Sequence, residues 1–218
     1  ASLIHDDIAD NDDFRYNTET IHKQNGITVA INNGDFLLGK GYELLGNLPF
    51  NVQSMAACYR LVANGHVALS LGQGADLLAS SKHTILSMGD QLEIFERKTG
   101  SAIRVALLLG AVAAGASEND REVLKNFSGY FGIAYQIKDD LDEYRESNEH
   151  THATDYPLML SLLVENAPEL MREDIRIAYA ENDKRQVAEW IESHQIDVDA
   201  EELLSEYTAK AYNELDQL

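Results

Sequence analysis

Apolar residues recur at intervals of three and four along nearly the whole chain, as in "ELLSEYTAKAYNELDQL" over 202–218, and runs that alternate apolar with polar side chains are absent. The pattern predicts helices over 1–10, 25–45, 49–63, 65–80, 82–97, 100–116, 118–144, 155–165, 168–180, 183–193 and 197–217, an all-α fold. Three prolines (Pro49, Pro157, Pro168) fall at predicted starts or connections, and Ser117 with Asp120 reads as the cap and first turn of the long segment from 118. Gly100 and Gly115 bound the most apolar stretch, whose run "VALLLGAVAAGA" over 105–116 is too short for a membrane span and right for a close-packed core helix. Trp190 reads as the anchor of a peripheral helix. No internal repeat, low-complexity tract or interdomain linker is visible.

With 218 residues and 44% hydrophobic content, the chain has enough apolar surface for one domain. One cysteine, Cys58, excludes an internal disulfide, fits the reducing cytoplasm and reads as a small buried apolar side chain. A formal net charge of −20 leaves no basic patch to neutralise phosphates, which excludes nucleic acid as a partner. It also repels any small anionic substrate unless metal ions mediate.

That surplus of negative charge is concentrated. "HDDIADNDD" over 5–13 carries Asp6, Asp7, Asp10, Asp12 and Asp13, and on a helix Asp6 and Asp10 share a face with Asp7 about 100° away. Alone, such a cluster fits a solvated helix end. A second one, "YQIKDDLDEY" over 135–144, repeats the spacing with Asp139, Asp140 and Glu143 behind an apolar, small-residue run. Crowded carboxylates at the ends of core helices need cations to offset repulsion and desolvation, so two such clusters point to Mg²⁺ ions clamping a polyphosphate.

These residues resemble the all-trans polyprenyl diphosphate synthases of the isoprenoid synthase superfamily. "SLIHDDIADNDDFRYNTETIHKQNGITVAINNGDFLLG" is similar to the family's first aspartate-rich motif and the helix-forming segment after it, with Gly34-Asp35 in place. "FERKTG" is similar to its lysine–threonine signature, and "YQIKDDLDEY" to its second aspartate-rich motif. The resemblance implies an orthogonal all-α bundle around a deep central cavity, a homodimer, and Mg²⁺ held by Asp6, Asp7, Asp10, Asp139, Asp140 and Glu143. It implies condensation of isopentenyl diphosphate onto an allylic diphosphate, with Arg15 and Lys98 as the cations at the phosphates and Thr99 and Gln136 lining the reacting end. His5 and His22 fit neutral rings packed beside the first cluster as well as substrate contacts. The family's product tunnel runs past the positions of Ala1 and Ser2, whose small side chains imply geranylgeranyl diphosphate or a longer product.

The chain departs from the family pattern in three places. Arg15-Tyr16-Asn17 stands where two arginines and a glycine are usual, the second arginine serving isopentenyl diphosphate. A glycine–lysine–arginine segment expected upstream does not occur, as if N-terminal helices were lacking. The stretch after Glu143, "YRESNEHTHATDYPLMLSLL", is short and lacks the loop lysine. The departures keep two alternatives in view: an enzyme that ionises an allylic diphosphate but uses another acceptor or cyclises it, and a non-catalytic helical subunit.

Overall fold

The computed structural model describes residues 2–146 and 156–218; Ala1 lies outside the described residues, as does most of the short stretch after Glu143. Contacts divide the chain into two compact units, Ala1–Arg60 and Leu61–Leu218. Both are built almost wholly of helix, as the apolar periodicity predicts.

The first unit comprises α1 (Ser2–Ala9), a hairpin of β1 (Phe14–Arg15) and β2 (Thr18–Glu19), α2 (Ile21–Asn25), α3 (Ile27–Gly46) and the first turns of α4 (Val52–Ser81). The hairpin falls between the predicted helices 1–10 and 25–45. Tyr16 and Asn17 sit at φ +50° and +61°, the pair of left-handed residues that a two-residue hairpin turn demands, and strands of two residues are too short to show any alternation. Asn17 stands where the family pattern has glycine, the other residue suited to that conformation. A second break falls at Gly26, whose φ of +87° separates α2 from α3. α3 packs on α1, and at Gly34 a Cβ would overlap the His5 imidazole, so the glycine exists to admit that ring. Tyr59 on α4 stacks on Tyr42 of α3 with centroids 6.4 Å apart.

The second unit continues α4 and adds α5 (Met88–Phe95), α6 (Ser101–Ala114), α7 (Glu118–Glu146), α8 (Pro157–Asn166), α9 (Glu169–Ala180), α10 (Lys184–Ser193) and α11 (Ile196–Leu215). α8 is apolar on every side and buries Leu158 through Val164, so it forms the centre of the core with Ile137 and Leu141 of α7, Ile175, Ile191 and Ile196 around it. Trp190 packs against that core from α10, the anchoring role its amphipathic segment implied. Ser117 and Asp120 cap α7 reciprocally, at 3.1 and 3.2 Å.

Two predicted breaks are not breaks. α4 runs unbroken through the predicted gap between 63 and 65, and the glycine at 65 admits Val105 of α6. At Gly100 the backbone stays right-handed and α5 passes into α6 through a π turn, Glu96–Gly100. That turn is clamped from two sides. On α4 a Cβ at Gly72 would meet Arg97 Cβ at 2.7 Å, and on α7 a Cβ at Gly132 would overlap the Gly100 backbone.

Candidate active site

In the first unit, α1 delivers Asp6 half-buried and Asp7 only 6% exposed, while Asp10 follows at the helix end with its N–H on the Asp6 carbonyl at 2.9 Å. The hairpin then folds back and places Arg15 among them. Its Nε donates to Asp7 Oδ1, and Nη2 lies 3.3 Å from Asp12 and 3.5 Å from Asp6. The Asp7 bond, above all, holds the guanidinium more firmly protonated than usual. Lys23 closes on Asp13 at 2.7 Å and lowers the pKa of that carboxyl. Thr20, buried, donates to the Asp12 carbonyl at 2.7 Å and meets His22 Nδ1 at 3.2 Å. His22 is buried and His5 lies 3.6 Å from Asp35, which fits the packed-ring reading of both. Asp7, grouped from sequence with the metal-holding carboxylates, meets the Arg15 guanidinium, which offsets the cost of burying its charge.

The second unit collects the other motif around the π turn. Widening the helix by one residue at Glu96–Gly100 turns Lys98 toward α4, where Nζ meets Asp76 Oδ2 at 2.5 Å. Asp139 sits near enough to feel the Lys98 charge, yet desolvation, and after it Asp142, raises its pKa. Asp140 is pushed up to about 7, chiefly by burial and further by Glu143, Asp139 and Asp76, against one hydrogen bond from the Leu158 N–H at 3.3 Å. Gln136 is half-buried on α7 one turn before these two aspartates, Thr99 is half-buried next to Lys98, and Glu143 is exposed one turn beyond. Lys98, Asp76, Asp139 and Asp140 are therefore brought into one electrostatic neighbourhood.

Among the described residues no three carboxylate, imidazole or thiol groups converge as they would around a bound ion. The donor chemistry nonetheless suits a hard divalent cation. All the groups concerned are carboxylate oxygens, and burial first, with neighbouring carboxylates after it, raises Asp139 and Asp140, a cost that a bound cation would offset.

A family model described as Polyprenyl synthetase matches residues 1–156, which include both acidic clusters and the π turn. The chain belongs to that family. It is 35% identical over 179 residues to the farnesyl diphosphate synthase of Bacillus subtilis, covering 74% of this chain and 60% of that protein. To the short chain isoprenyl diphosphate synthase of Methanocaldococcus jannaschii it is 32% identical over 140 residues, 64% of this chain and 42% of that one. The chain thus spans about half the length of these curated relatives. In fold it matches the geranylgeranyl pyrophosphate synthetase of Pyrococcus horikoshii Ot3 with a TM-score of 0.85 and 23% identity, over 99% of this chain and 69% of that one.

Sequence reasoning missed Asp76 and the glycines Gly72 and Gly132 that clamp the π turn. Isolated glycines inside helical patterns are a sign of close backbone approach, which was the available signal. Nothing in the spacing of "GQGAD" over 72–76 marks Asp76 as the partner of a lysine 22 residues on. Among the described residues no helix is long and apolar enough to cross a membrane.

Proposed function

We propose that this chain acts as a trans-prenyltransferase that joins an allylic diphosphate to isopentenyl diphosphate and yields geranylgeranyl diphosphate or a longer polyprenyl diphosphate. The observation that carries this is the neighbourhood of Lys98, Asp76, Asp139 and Asp140: one cation and three carboxylates, one of them held up to about 7, at a π turn of the family's own lysine–threonine motif.

We assign Mg²⁺ to Asp6, Asp10, Asp139, Asp140 and Glu143; when bound it neutralises the leaving diphosphate, which favours scission of the allylic carbon–oxygen bond. Lys98, oriented by Asp76, offers its ammonium to that diphosphate, and Arg15, fixed by Asp7, a second cation. Thr99 and Gln136 present uncharged dipoles that steady an allylic cation without trapping it. The terminal alkene carbon of isopentenyl diphosphate forms the new carbon–carbon bond to the allylic cation, which leaves positive charge on the internal alkene carbon; the neighbouring CH₂ then loses a proton to the released diphosphate and the new double bond closes. A cytoplasmic homodimer fits the family. Ser2 is exposed at the start of α1, and Ser2→Phe is expected to shorten the products; Ala1 lies outside the described residues.

The exposed Tyr16 at the hairpin tip, where a phosphate-binding arginine is usual in the family, favours one second reading: the same ionisation with a different acceptor or with cyclisation. Incubating the full chain with Mg²⁺, farnesyl diphosphate and labelled isopentenyl diphosphate separates the two. Labelled geranylgeranyl or longer diphosphate supports the synthase, whereas diphosphate release without isopentenyl diphosphate and without labelled product supports the second reading.

A further inference from the structure

At the opposite end of α5 from the π turn, the second unit holds a cavity of about 430 Å³ whose lining includes Ser87, Met88, Gly89, Ser161, Arg172 and Arg176. None of these residues belongs to either acidic cluster or to the lysine–threonine motif. In a chain with a net charge of −20, a cavity with two guanidinium groups and a single carboxylate, Glu165, is against the trend of the molecule.

Three independent features of this cavity call for an anion. The first is the helix terminus itself. Ser87 caps α5 by accepting the Asp90 N–H at 3.2 Å, while the N–H groups of Met88 and Gly89 belong to the first turn, which the helix ladder does not use. The backbone there is open: a Cβ at Gly89 would meet nothing nearer than Ser87 Oγ at 3.9 Å. Asp90, the acidic residue of that turn, is already bonded to the Ser87 hydroxyl at 2.6 Å.

The second feature is the arginine pair, one turn apart on α9. Arg172 is fixed from behind, with Nε on the Ala167 carbonyl at 3.1 Å, Nη2 on the Glu165 carbonyl at 3.2 Å and Nη1 on exposed Glu169 at 3.2 Å. A guanidinium held through main-chain carbonyls is pre-oriented and keeps N–H groups over for a ligand. Arg176 is exposed and forms no ion pair among the described residues.

The third is Ser161 on α8. It is 2% exposed, it lines the cavity, and its hydroxyl has no hydrogen-bond partner among the described residues. A buried hydroxyl without a partner is costly, so an acceptor entering the cavity gains a donor that the fold has left unused.

We propose that this cavity is a second anion site, separate from the acidic clusters, that takes a phosphate or diphosphate group between the α5 N-terminus, Ser161, Arg172 and Arg176. Leu86 and Val164 supply apolar wall beside it, which suits a phosphate carried on a hydrocarbon as well as the free anion. The site does not depend on which reaction the chain performs.

Calorimetry with inorganic diphosphate tests it, in magnesium-free buffer with chelator and at fixed ionic strength, on a Lys98→Gln chain so that the motif lysine does not contribute. One saturable event is expected, weakened about tenfold or more by Arg176→Ala. Ser161→Ala is expected to weaken it several-fold while thermal stability stays level or rises, since the variant removes a hydroxyl that has no partner; a purely structural serine would leave the affinity unmoved. A second arm uses phosphatidylcholine vesicles with and without phosphatidic acid. Binding of diphosphate assigns a free anion as ligand, and binding confined to phosphatidic acid vesicles and lost in Arg176→Ala assigns a lipid headgroup. Absence of saturable binding in both arms, or equal affinity in parent, Arg176→Ala and Ser161→Ala chains, overturns the proposal.

Discussion

The two acidic clusters have nearly the same spelling and opposite electrostatics. In the first unit cations fold in beside the carboxylates: Arg15 serves Asp7, Asp12 and Asp6, and Lys23 serves Asp13. In the second unit negative charge accumulates instead. Lys98 is committed to Asp76, desolvation raises Asp139, and Asp140 is held at about 7 by burial and by three further carboxylates. The first cluster carries cations of its own beside the carboxylates, whereas the second keeps two carboxyls in surroundings that disfavour their charged form, a cost that a divalent cation would offset. An acidic motif is thus only half described by its spacing; the cations folded against it decide whether it is a structural knot or a place where charge is waiting.

The largest expected effect separates the clusters by pairing activity with stability. Both Asp6→Asn and Asp139→Asn should lower turnover on the order of 10³-fold, about 4 kcal/mol of transition-state stabilisation, if both hold Mg²⁺ as proposed. Their melting temperatures should move in opposite directions. Asp139→Asn removes a carboxylate whose charged form the fold disfavours and should melt level or higher, whereas Asp6→Asn takes a partner from Arg15 and should melt lower. Near-normal turnover in either variant, measured by product formation, would sink that metal assignment.

Next in size is the packing beneath each motif. Gly132→Ala should destabilise the second unit by about 3 kcal/mol or more in urea unfolding, because the new Cβ overlaps main chain at Gly100 and neither helix has room to retreat. Gly34→Ala in the first unit meets only the end of the His5 ring, which can swing away, so its cost should stay near 1 kcal/mol. Equal costs would mean that the π turn is no tighter than the contact of α3 with α1.

Arg15 gives a smaller effect and a cleaner one. Arg15→Gln strands the Asp7 carboxylate at 6% exposure and should cost about 2 kcal/mol. Adding Asp7→Asn should restore part of that loss, since the double variant no longer buries an unpaired charge. A strictly additive pair would show that Asp7 does not depend on Arg15.

Most of the helices were legible because an amphipathic period of 3.6 is written in apolar spacing, and the Ser117 and Asp120 cap because its chemistry is local. The Tyr16-Asn17 turn was not, since two-residue strands leave no alternation to read. Gly100 misled for a related reason: a glycine that ends a helix and a glycine that admits a neighbour look alike until the neighbour is known. Of the candidate site, the carboxylates and Lys98 could be picked out by motif, but their charge states could not. The Asp140 value depends on Asp76, 64 positions earlier in the chain, and on the Leu158 N–H, neither of which any local pattern connects to it.

The subtlest difference between the clusters should appear as a sign in the pH dependence of stability. The Asp140 pKa is raised from an unfolded value near 4 to about 7 in the folded chain, so below pH 4 the group is protonated in both states and costs nothing. Between about 4 and 7 the unfolded chain releases the proton and the folded chain keeps it, and stability falls as pH rises, the loss being complete above the folded value. Asp13 has the reverse sign, because Lys23 lowers its pKa and its contribution is lost on acidification, though its exposure keeps that term small. With chelator present, urea unfolding should therefore show a decline in stability from pH 5 to 7 that Asp140→Asn flattens. Mg²⁺ turns the same group round: binding requires the ionised carboxylate, so the affinity should rise by up to about tenfold per pH unit below 7 and level off above it, with one proton released per ion bound at pH 6. Calorimetry in two buffers of different ionisation enthalpy counts that proton directly. A Mg²⁺ affinity that is flat from pH 5 to 7, or an unfolding slope that Asp140→Asn leaves intact, would remove Asp140 as the seat of the second cluster's unrelieved charge.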